Sequence, residues 1–167
     1  MADIKIAYQA DQALTNAIQS LATSATWVAG YESTWVDNAT NLYLDYLFSG
    51  QVTVGTTPTA STEIRIYVVT HLNSTPTYPD VFDGTTSAET VTSEGVRDGF
   101  AKLAAVMRCD STNSDRAYPY AFSVASLFGG VCPRAFCLFT AHNTGVNLNA
   151  TGGNQITSYR GVYFTSA

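Results

Sequence analysis

The strongest indication of the fold lies in residues 122–164, which read F-S-V-A-S-L-F-G-G-V-C-P-R-A-F-C-L-F-T-A-H-N-T-G-V-N-L-N-A-T-G-G-N-Q-I-T-S-Y-R-G-V-Y-F. Short apolar runs are separated by glycine, proline and asparagine, the residues that form tight turns between strands. This region predicts three strands, at residues 121–128, 134–142 and 155–165. The middle strand is apolar on both faces, which is typical of a central strand.

The segment 63–71, E-I-R-I-Y-V-V-T-H, is the clearest strand elsewhere in the chain. Every second residue from Ile64 is apolar or small, whereas the alternate residues form a longer and more polar set, so one face is predicted to be core. We therefore expect one core to contain Ile64, Ile66, Val68, Phe136 and Leu138.

The first half of the chain has weaker strand signals. Residues 27–36 are rich in aromatic and β-branched side chains and predict a strand, and 36–41 (V-D-N-A-T-N) predict a turn. Residues 42–48 alternate as a strand does, although a helix capped by Thr40 is the competing interpretation.

The region 73–94 is a long polar insertion with two prolines and no periodicity, a kind of segment that is usually functional or mobile. After it, residues 100–108 fit either a strand or a helix that starts at a Ser93 cap. About eight strands with no alternating helices predict an all-β protein. We expect a single antiparallel sandwich, jelly-roll-like, over residues 27–167.

Residues 1–26 are interpreted as an N-terminal arm and lead-in. Ile4, Ile6 and Tyr8 alternate with polar or small residues, which is the pattern of a strand. No partner strand lies close in sequence, and an unpaired edge is usually covered or used for pairing. We expect the arm to pair with another protein chain, the alternative being an ordinary first strand of the protein's own sheet.

Composition limits the classes of partner. The chain has 167 residues, a net charge of −5 and only 13% charged residues, about half the usual ~25%. A surface covered by Thr, Ser, Asn and Tyr suits polar protein contacts, although strand propensity explains the same composition. Without clustered basic residues we expect no nucleic-acid binding. Without a long apolar run or a signal-peptide pattern we expect no membrane segment and synthesis in a cytoplasm.

Metal and redox motifs are not recognisable. Cys109, Cys132 and Cys137 are an odd number, and the last two do not have a zinc spacing, so buried inert thiols are expected. Residues 110–115, D-S-T-N-S-D, lack the central glycine and distant glutamate of a calcium loop and predict a polar turn. The sequence therefore predicts no metal and no cofactor.

Catalytic motifs are equally weak, and we expect the chain not to be an enzyme. Ser126 is not in a G-x-S-x-G motif. His142, one of two histidines with His71, is expected to close a strand with its ring donating to a carbonyl. Asp80 and Asp83 have the residue types of a glycosidase pair, but turn formation is the commoner use of such loop aspartates.

Four aromatic residues are candidates for surface contacts, either as a sugar-binding platform or between subunits. The sequence does not separate these two roles. Together with the three apolar residues of the arm they make up the candidate assembly contacts, which are Ile4, Ile6, Tyr8, Tyr78, Phe82, Tyr118 and Tyr120.

Three stretches carry a resemblance. They are V-D-N-A-T-N-L-Y-L-D-Y-L at 36–47, E-I-R-I-Y-V-V-T at 63–70, and S-L-F-G-G-V-C-P-R-A-F-C-L-F-T-A-H-N-T-G-V-N-L at 126–148, followed by a closing Y-R-G-V-Y-F. In them the chain resembles head decoration (cement) proteins and related virion structural proteins of tailed bacteriophages. The likeness covers the last two thirds of the chain and is a pattern of strands and turns.

The resemblance implies a jelly-roll-like, non-enzymatic protein that binds the outside of an assembled capsid as a dimer or trimer. Its partner would be the major capsid protein, and its location the virion exterior after synthesis in the host cytoplasm. One alternative is a tail, fibre or spike component that binds a host glycan through its tyrosines. Another is a hydrolase that uses Asp80 or Asp83.

Overall fold

The computed structural model describes residues 3–73 and 77–166, and it consists of two antiparallel β-sheets packed as a sandwich. In chain order the strands are β1 (Ile4–Tyr8), β2 (Gln12–Ala13), β3 (Ala29–Glu32), β4 (Val36–Asp37), β5 (Asp45–Thr53), β6 (Thr62–Thr70), β7 (Ser87–Thr90), β8 (Lys102–Cys109), β9 (Ala117–Ser123), β10 (Ala135–His142) and β11 (Ile156–Ser166). The helices are α1 (Glu94–Phe100) and α2 (Val124–Leu127). Among the residues described, no helix has the length and apolar character needed to cross a membrane.

The strand order is that of a jelly roll. The first sheet runs β1-β11-β5-β9 with β2 beside β11, and the second runs β7-β3-β10-β6-β8 with β4 beside β10. Four antiparallel strand pairs are nested along the chain, each lying between the two strands of the pair before it. They are β1 with β11, β3 with β10, β5 with β9 and β6 with β8. The predicted all-β, jelly-roll-like sandwich is therefore confirmed.

The core between the sheets is centred on β10, whose eight residues are all buried. This confirms the prediction of a central strand at 134–142. The Phe136 ring meets the rings of Tyr46 and Phe48 from the opposite sheet edge-on, with centroids 5.3 and 6.0 Å apart. The predicted core is also confirmed, because one buried cluster contains Ile64, Ile66, Val68, Phe136 and Leu138.

The long polar insertion folds over the outer face of the second sheet. Part of it forms β7, which pairs with β3, and it leads into α1, where the Ser93 hydroxyl accepts a hydrogen bond from Val96 N at 3.2 Å. Its apolar residues pack on the outward side chains of β6 and β10 in a second cluster. The buried members of that cluster are Tyr67, Val69, Phe82, Val91, Ala101, Cys137, Phe139 and Ala141. The insertion is thus a cover for the sheet.

Several predicted boundaries need correction. The strand predicted at 121–128 is wrong beyond Ser123, because the Asp45 carboxylate accepts bonds from Ser123 Oγ (2.6 Å) and Ala125 N (2.7 Å) and turns the chain into α2. The region 100–108 combines both interpretations, since the Ser93-capped helix ends at Phe100 and β8 follows. The strand interpretation of 42–48 is confirmed from Asp45 onward.

The N-terminal arm forms a strand of the protein's own sheet. Residues 4–8 pair as β1 with residues 162–166 of β11, in the protein's own first sheet. The predicted pairing with another protein chain is therefore wrong for the side of β1 that bonds to β11. The local sequence pattern does not show this pairing, because the partner strand lies far away in the sequence. Residues 14–28 are irregular, with turns at 19–20 and 25–26, and they cross from the first sheet (Leu14 N to Thr157 O, 2.9 Å) to the second (Ser24 N to His142 O, 2.7 Å).

The burial of His142 is expected to make the stability of the protein depend on pH. The ring is fully buried, with Nε2 donating to Leu21 O (3.0 Å) and Nδ1 at 2.9 Å from Thr144 Oγ1. Burial lowers its pKa below the ordinary 6.5, so the unfolded chain takes up a proton first as the pH falls. Stability is complete above about pH 6.5 and declines below it, by up to about 1.4 kcal/mol per pH unit, until the folded-state pKa is reached.

Urea unfolding at pH values from 7.5 to 5.5 measures this decline. His142→Gln is expected to flatten the dependence whatever it does to stability at pH 7.5. Burial lowers the pKa of His71 as well, although its ring is only half-buried, so His71→Gln is the matched control and should flatten the curve less. An unchanged slope in His142→Gln would contradict the assignment.

Candidate assembly surface

The outer face of β1 and β11 carries exposed apolar side chains at one margin of the first sheet. In the antiparallel register Ile6 lies opposite Phe164 and Tyr8 opposite Val162, and side chains that are opposite one another share a face. Ile4 is 76% exposed, Ile6 60%, Tyr8 57% and Phe164 59%. We call this set, Ile4, Ile6, Tyr8, Val162 and Phe164, the apolar edge face.

The other face of the same two strands holds them to the protein. The Tyr163 ring lies 5.6 Å from Tyr43, which in turn contacts Tyr46 at the core (centroids 5.5 Å apart). Beyond the strand, Asp11 forms an ion pair with Arg160 at 2.8 Å. The apolar edge face is therefore presented on a fixed backbone rather than on a loose tail.

β1 is also an open edge. It pairs with β11 on one side only, and no strand within residues 3–73 and 77–166 pairs with its other side. An exposed edge strand offers unpaired backbone donors and acceptors to another strand. Lys5 is the one basic residue on β1, and the strand contains no proline. This edge thus has little of the protection that natural proteins place on exposed strands.

A shallow groove adjoins the apolar edge face on the outer surface of the first sheet. It has a volume of about 570 Å³, and its lining includes Tyr8, Leu47, Ser49, Ala121 and Arg160. Two residues of this lining, Ser49 and Ala121, have small side chains, which leaves room for the groove beside Tyr8. Groove and apolar edge face together form a continuous surface that combines backbone groups, apolar side chains and one guanidinium.

The aromatic candidates from the insertion and from β9 do not join this surface. Phe82, Tyr118 and Tyr120 are buried, so their interpretation as exposed contacts is wrong. The Tyr118 hydroxyl donates to Asp110 (3.2 Å), and the Tyr120 hydroxyl lies 2.8 Å from Thr157 Oγ1. Both hydroxyls therefore have intramolecular partners, which explains how tyrosines occupy these inward positions.

Phe82 and Tyr78 belong to the cover over the second sheet. Phe82 packs edge-on against Phe100 and Phe139, with centroids 5.6 and 5.4 Å away. Tyr78 is half-buried and lies edge-on to Trp35 and His71, both at 4.9 Å. Of the seven predicted contacts, the structure brings together Ile4, Ile6 and Tyr8.

Val162 and Phe164 complete the apolar edge face, and sequence reasoning missed them. The closing segment Y-R-G-V-Y-F does alternate, with Val162 and Phe164 on one face and Tyr163 on the other. That alternation becomes a surface signal only when the pairing with residues 4–8 is known, because a short apolar run also fits a buried strand.

The aspartates considered for catalysis form hydrogen bonds that shape the insertion. Asp80 accepts from the amide (2.8 Å) and hydroxyl (2.6 Å) of Thr92, which links the two ends of the cover. Asp83 accepts from Thr85 N at 2.8 Å, an Asx-type turn bond.

The expectation that the His142 ring donates to a carbonyl is confirmed by its bond to Leu21 O.

The three cysteines are free thiols. Cys109 and Cys137 are buried and Cys132 is half-buried. Burial raises the pKa of all three, that of Cys132 to about 12. Because the thiolate is the reactive form, these positions favour unreactive thiols near neutral pH.

No protein-family model matches the chain, and no curated protein matches it either.

Proposed function

We propose that this protein is a non-enzymatic structural component of a tailed-phage virion, a decoration (cement) protein that binds the outside of the capsid. The observation that supports this most directly is the apolar edge face beside an open strand on a rigid jelly roll. The partners are further copies of the chain, as a dimer or trimer, and the major capsid protein. The protein is synthesised in the host cytoplasm and resides on the virion exterior.

The energetics of such a surface suit repeated attachment. Covering a side chain such as Ile6 or Phe164, each more than half exposed, contributes about 1–2 kcal/mol. Main-chain bonds along the free side of β1 add to this and fix the register of the partner strand. A single contact of this size is weak, but an oligomer that engages several sites at once binds tightly through effective concentration.

The surface charge also supports an exterior role. The net charge of −5 and the two lysines, Lys5 and Lys102, give the protein little affinity for packaged DNA. The alternative, a tail or fibre component that binds glycan, has less support, since Tyr118 and Tyr120 are buried and unavailable for stacking on a sugar ring.

Attachment to capsids tests the proposal. Purified expanded capsids of the phage whose genome carries the gene are incubated with the protein and sedimented. We expect stoichiometric binding and a higher capsid melting temperature. Ile6→Lys combined with Phe164→Lys should weaken binding at least tenfold, because it places two charges in the apolar contact.

Val131→Lys is the matched control, because Val131 is 71% exposed but outside the apolar edge face. It should bind as the wild type does, and the melting temperatures of both free variants should stay close to that of the wild type. Failure of the wild-type protein to bind any capsid form would overturn the decoration role. Equal binding by the double variant would show that another surface attaches.

A further inference from the structure

The Glu32 carboxylate is buried on the outer side of the second sheet, under the cover formed by the insertion. Its side chain is 0% exposed, and Glu32 pairs with Phe139 of β10 on one side and with Ser87 of β7 on the other. Its Oε1 accepts hydrogen bonds from the Trp35 indole N–H and from Gly84 N. Its Oε2 has no hydrogen-bond partner within the described part of the chain. A buried carboxylate oxygen without a partner is energetically costly.

Two further carboxylates converge on Glu32. One oxygen each of Glu32, Asp83 and Glu89 lies within 4.8 Å of the other two. Asp83 accepts from Thr85 N at 2.8 Å, and Glu89 Oε1 accepts from Ser87 Oγ at 2.6 Å, so both are oriented by bonds to one of their oxygens. None of the ion pairs formed by residues 3–73 and 77–166 includes any of the three.

Three carboxylates this close repel one another, and a positive charge or a proton relieves that repulsion. Burial raises the pKa of Glu32, and the nearby Asp83 and Glu89 raise it further. A proton on Glu32, however, removes only one of the three negative charges. A divalent cation offsets two of the three negative charges at once and can be the partner that the buried Oε2 lacks.

We propose that Glu32, Asp83 and Glu89 form a binding site for a divalent cation of the calcium class. The ligands are all hard carboxylate oxygens, which Ca²⁺ accepts at about 2.3–2.6 Å in flexible geometry. Two oxygens on opposite sides of Ca²⁺ are about 4.6–5.2 Å apart, so three oxygens that all lie within 4.8 Å of one another are close enough to share one ion. Mg²⁺ usually takes only one or two carboxylates and keeps several waters.

The site joins separate parts of the fold. Glu32 is on β3, Asp83 is in the turn before β7, and Glu89 is on β7. A bound cation therefore fastens the insertion to the sheet beneath it, and its binding free energy adds to the stability of the folded state. This inference is independent of the proposed capsid role, because it concerns the opposite sheet from the apolar edge face.

Terbium luminescence and thermal unfolding test the site. Tb³⁺ replaces Ca²⁺ at oxygen sites and emits when a nearby tryptophan is excited, and Trp35 donates directly to Glu32. We expect saturable Tb³⁺ emission that Ca²⁺ displaces and that Mg²⁺ displaces poorly. After EDTA treatment, Ca²⁺ at about 100 times its dissociation constant should raise the melting temperature by roughly 5–10 °C.

Asp83→Asn and Glu89→Gln remove one charge each and retain an oxygen for the turn and side-chain bonds. In EDTA both should melt at or above the wild-type temperature, because like-charge repulsion is relieved. In Ca²⁺ the order should reverse, and Tb³⁺ emission should fall at least tenfold. Asp3→Asn, an exposed aspartate outside the cluster, makes the same charge change and should respond to Ca²⁺ as the wild type does.

Absence of a Ca²⁺ response in the wild-type protein would overturn the proposal. So would a response that survives in both Asp83→Asn and Glu89→Gln, because it would come from other surface acids.

Discussion

Replacing Phe136 by alanine is expected to lower the free energy of unfolding by about 3–5 kcal/mol, the largest effect of any single change considered. Phe136 lies at the centre of β10 with no exposed surface and contacts Tyr46 and Phe48 of the facing sheet. The other two rings are anchored in β5 and fill the vacated space only in part. Because small domains are stable by only about 5–15 kcal/mol, this loss is a large share of the total.

Urea denaturation followed by intrinsic fluorescence measures the loss. Phe164→Ala is the matched control, since it removes the same ring from a position that is 59% exposed, and it should cost less than about 1 kcal/mol. The control also separates stability from assembly, because Phe164 belongs to the apolar edge face. Comparable losses for the two variants would contradict the placement of the core.

Replacing Arg97 by methionine is expected to cost about 2–4 kcal/mol. Arg97 is 2% exposed on α1, and its Nη1 donates to the carbonyls of Thr26 (2.9 Å) and Trp27 (3.0 Å). Its guanidinium lies 4.9 Å from the Tyr67 ring centroid and pairs with Asp98. Methionine fills the space of the stem but leaves two inward carbonyls without their donor, so the cover loosens from the sheet.

The measurement is again the urea midpoint, together with proteolysis of the insertion. Arg116→Met is the control, because Arg116 forms an exposed ion pair with Asp110 at 3.1 Å and should contribute less than about 1 kcal/mol. Faster cleavage between residues 78 and 100 in Arg97→Met alone is the expected pattern. Equal stability of the two variants would show that the cover does not depend on Arg97.

The core was predictable because its signal is local. Ile64, Ile66 and Val68 alternate within a single strand, and the apolar run from Ala135 to Ala141 has no polar face. Both patterns depend only on the two-residue period of a strand. The end of β9 was not predictable, since it depends on Asp45, a residue far away in sequence whose carboxylate accepts from Ser123 and Ala125.

The apolar edge face was predictable only in part, because it combines two strands that are far apart in the sequence. Ile4, Ile6 and Tyr8 have a visible alternation, but their partner strand is the last one in the chain. Tyr118 and Tyr120 look like surface residues because tyrosine is amphipathic, and their burial depends on hydrogen-bond partners supplied by Asp110 and Thr157. Composition alone does not reveal such partners.

The carboxylate cluster was invisible in the sequence. A calcium loop is recognised by ligands at short, regular spacing, whereas Glu32 and Glu89 are brought together only by the pairing of β3 with β7. In the sequence, Asp83 is notable only for its nearness to Asp80. The segment with the composition of a cation loop is instead 110–115, which lacks the spacing of one.

The pairing of β1 with β11 has a consequence for how the protein is made. β1 is synthesised long before β11, the strand with which it pairs from Ile4↔Ser166 to Tyr8↔Val162. Until β11 is available, the segment with Ile4, Ile6 and Tyr8 has apolar side chains and no strand to pair with. The loop between β1 and β11 contains most of the chain, so closing it makes their pairing a slow step. Nascent chains are thus exposed to mispairing until β11 has been synthesised. Slower translation or higher temperature should therefore lower the soluble yield, and holdase chaperones that cover the first strand should restore it.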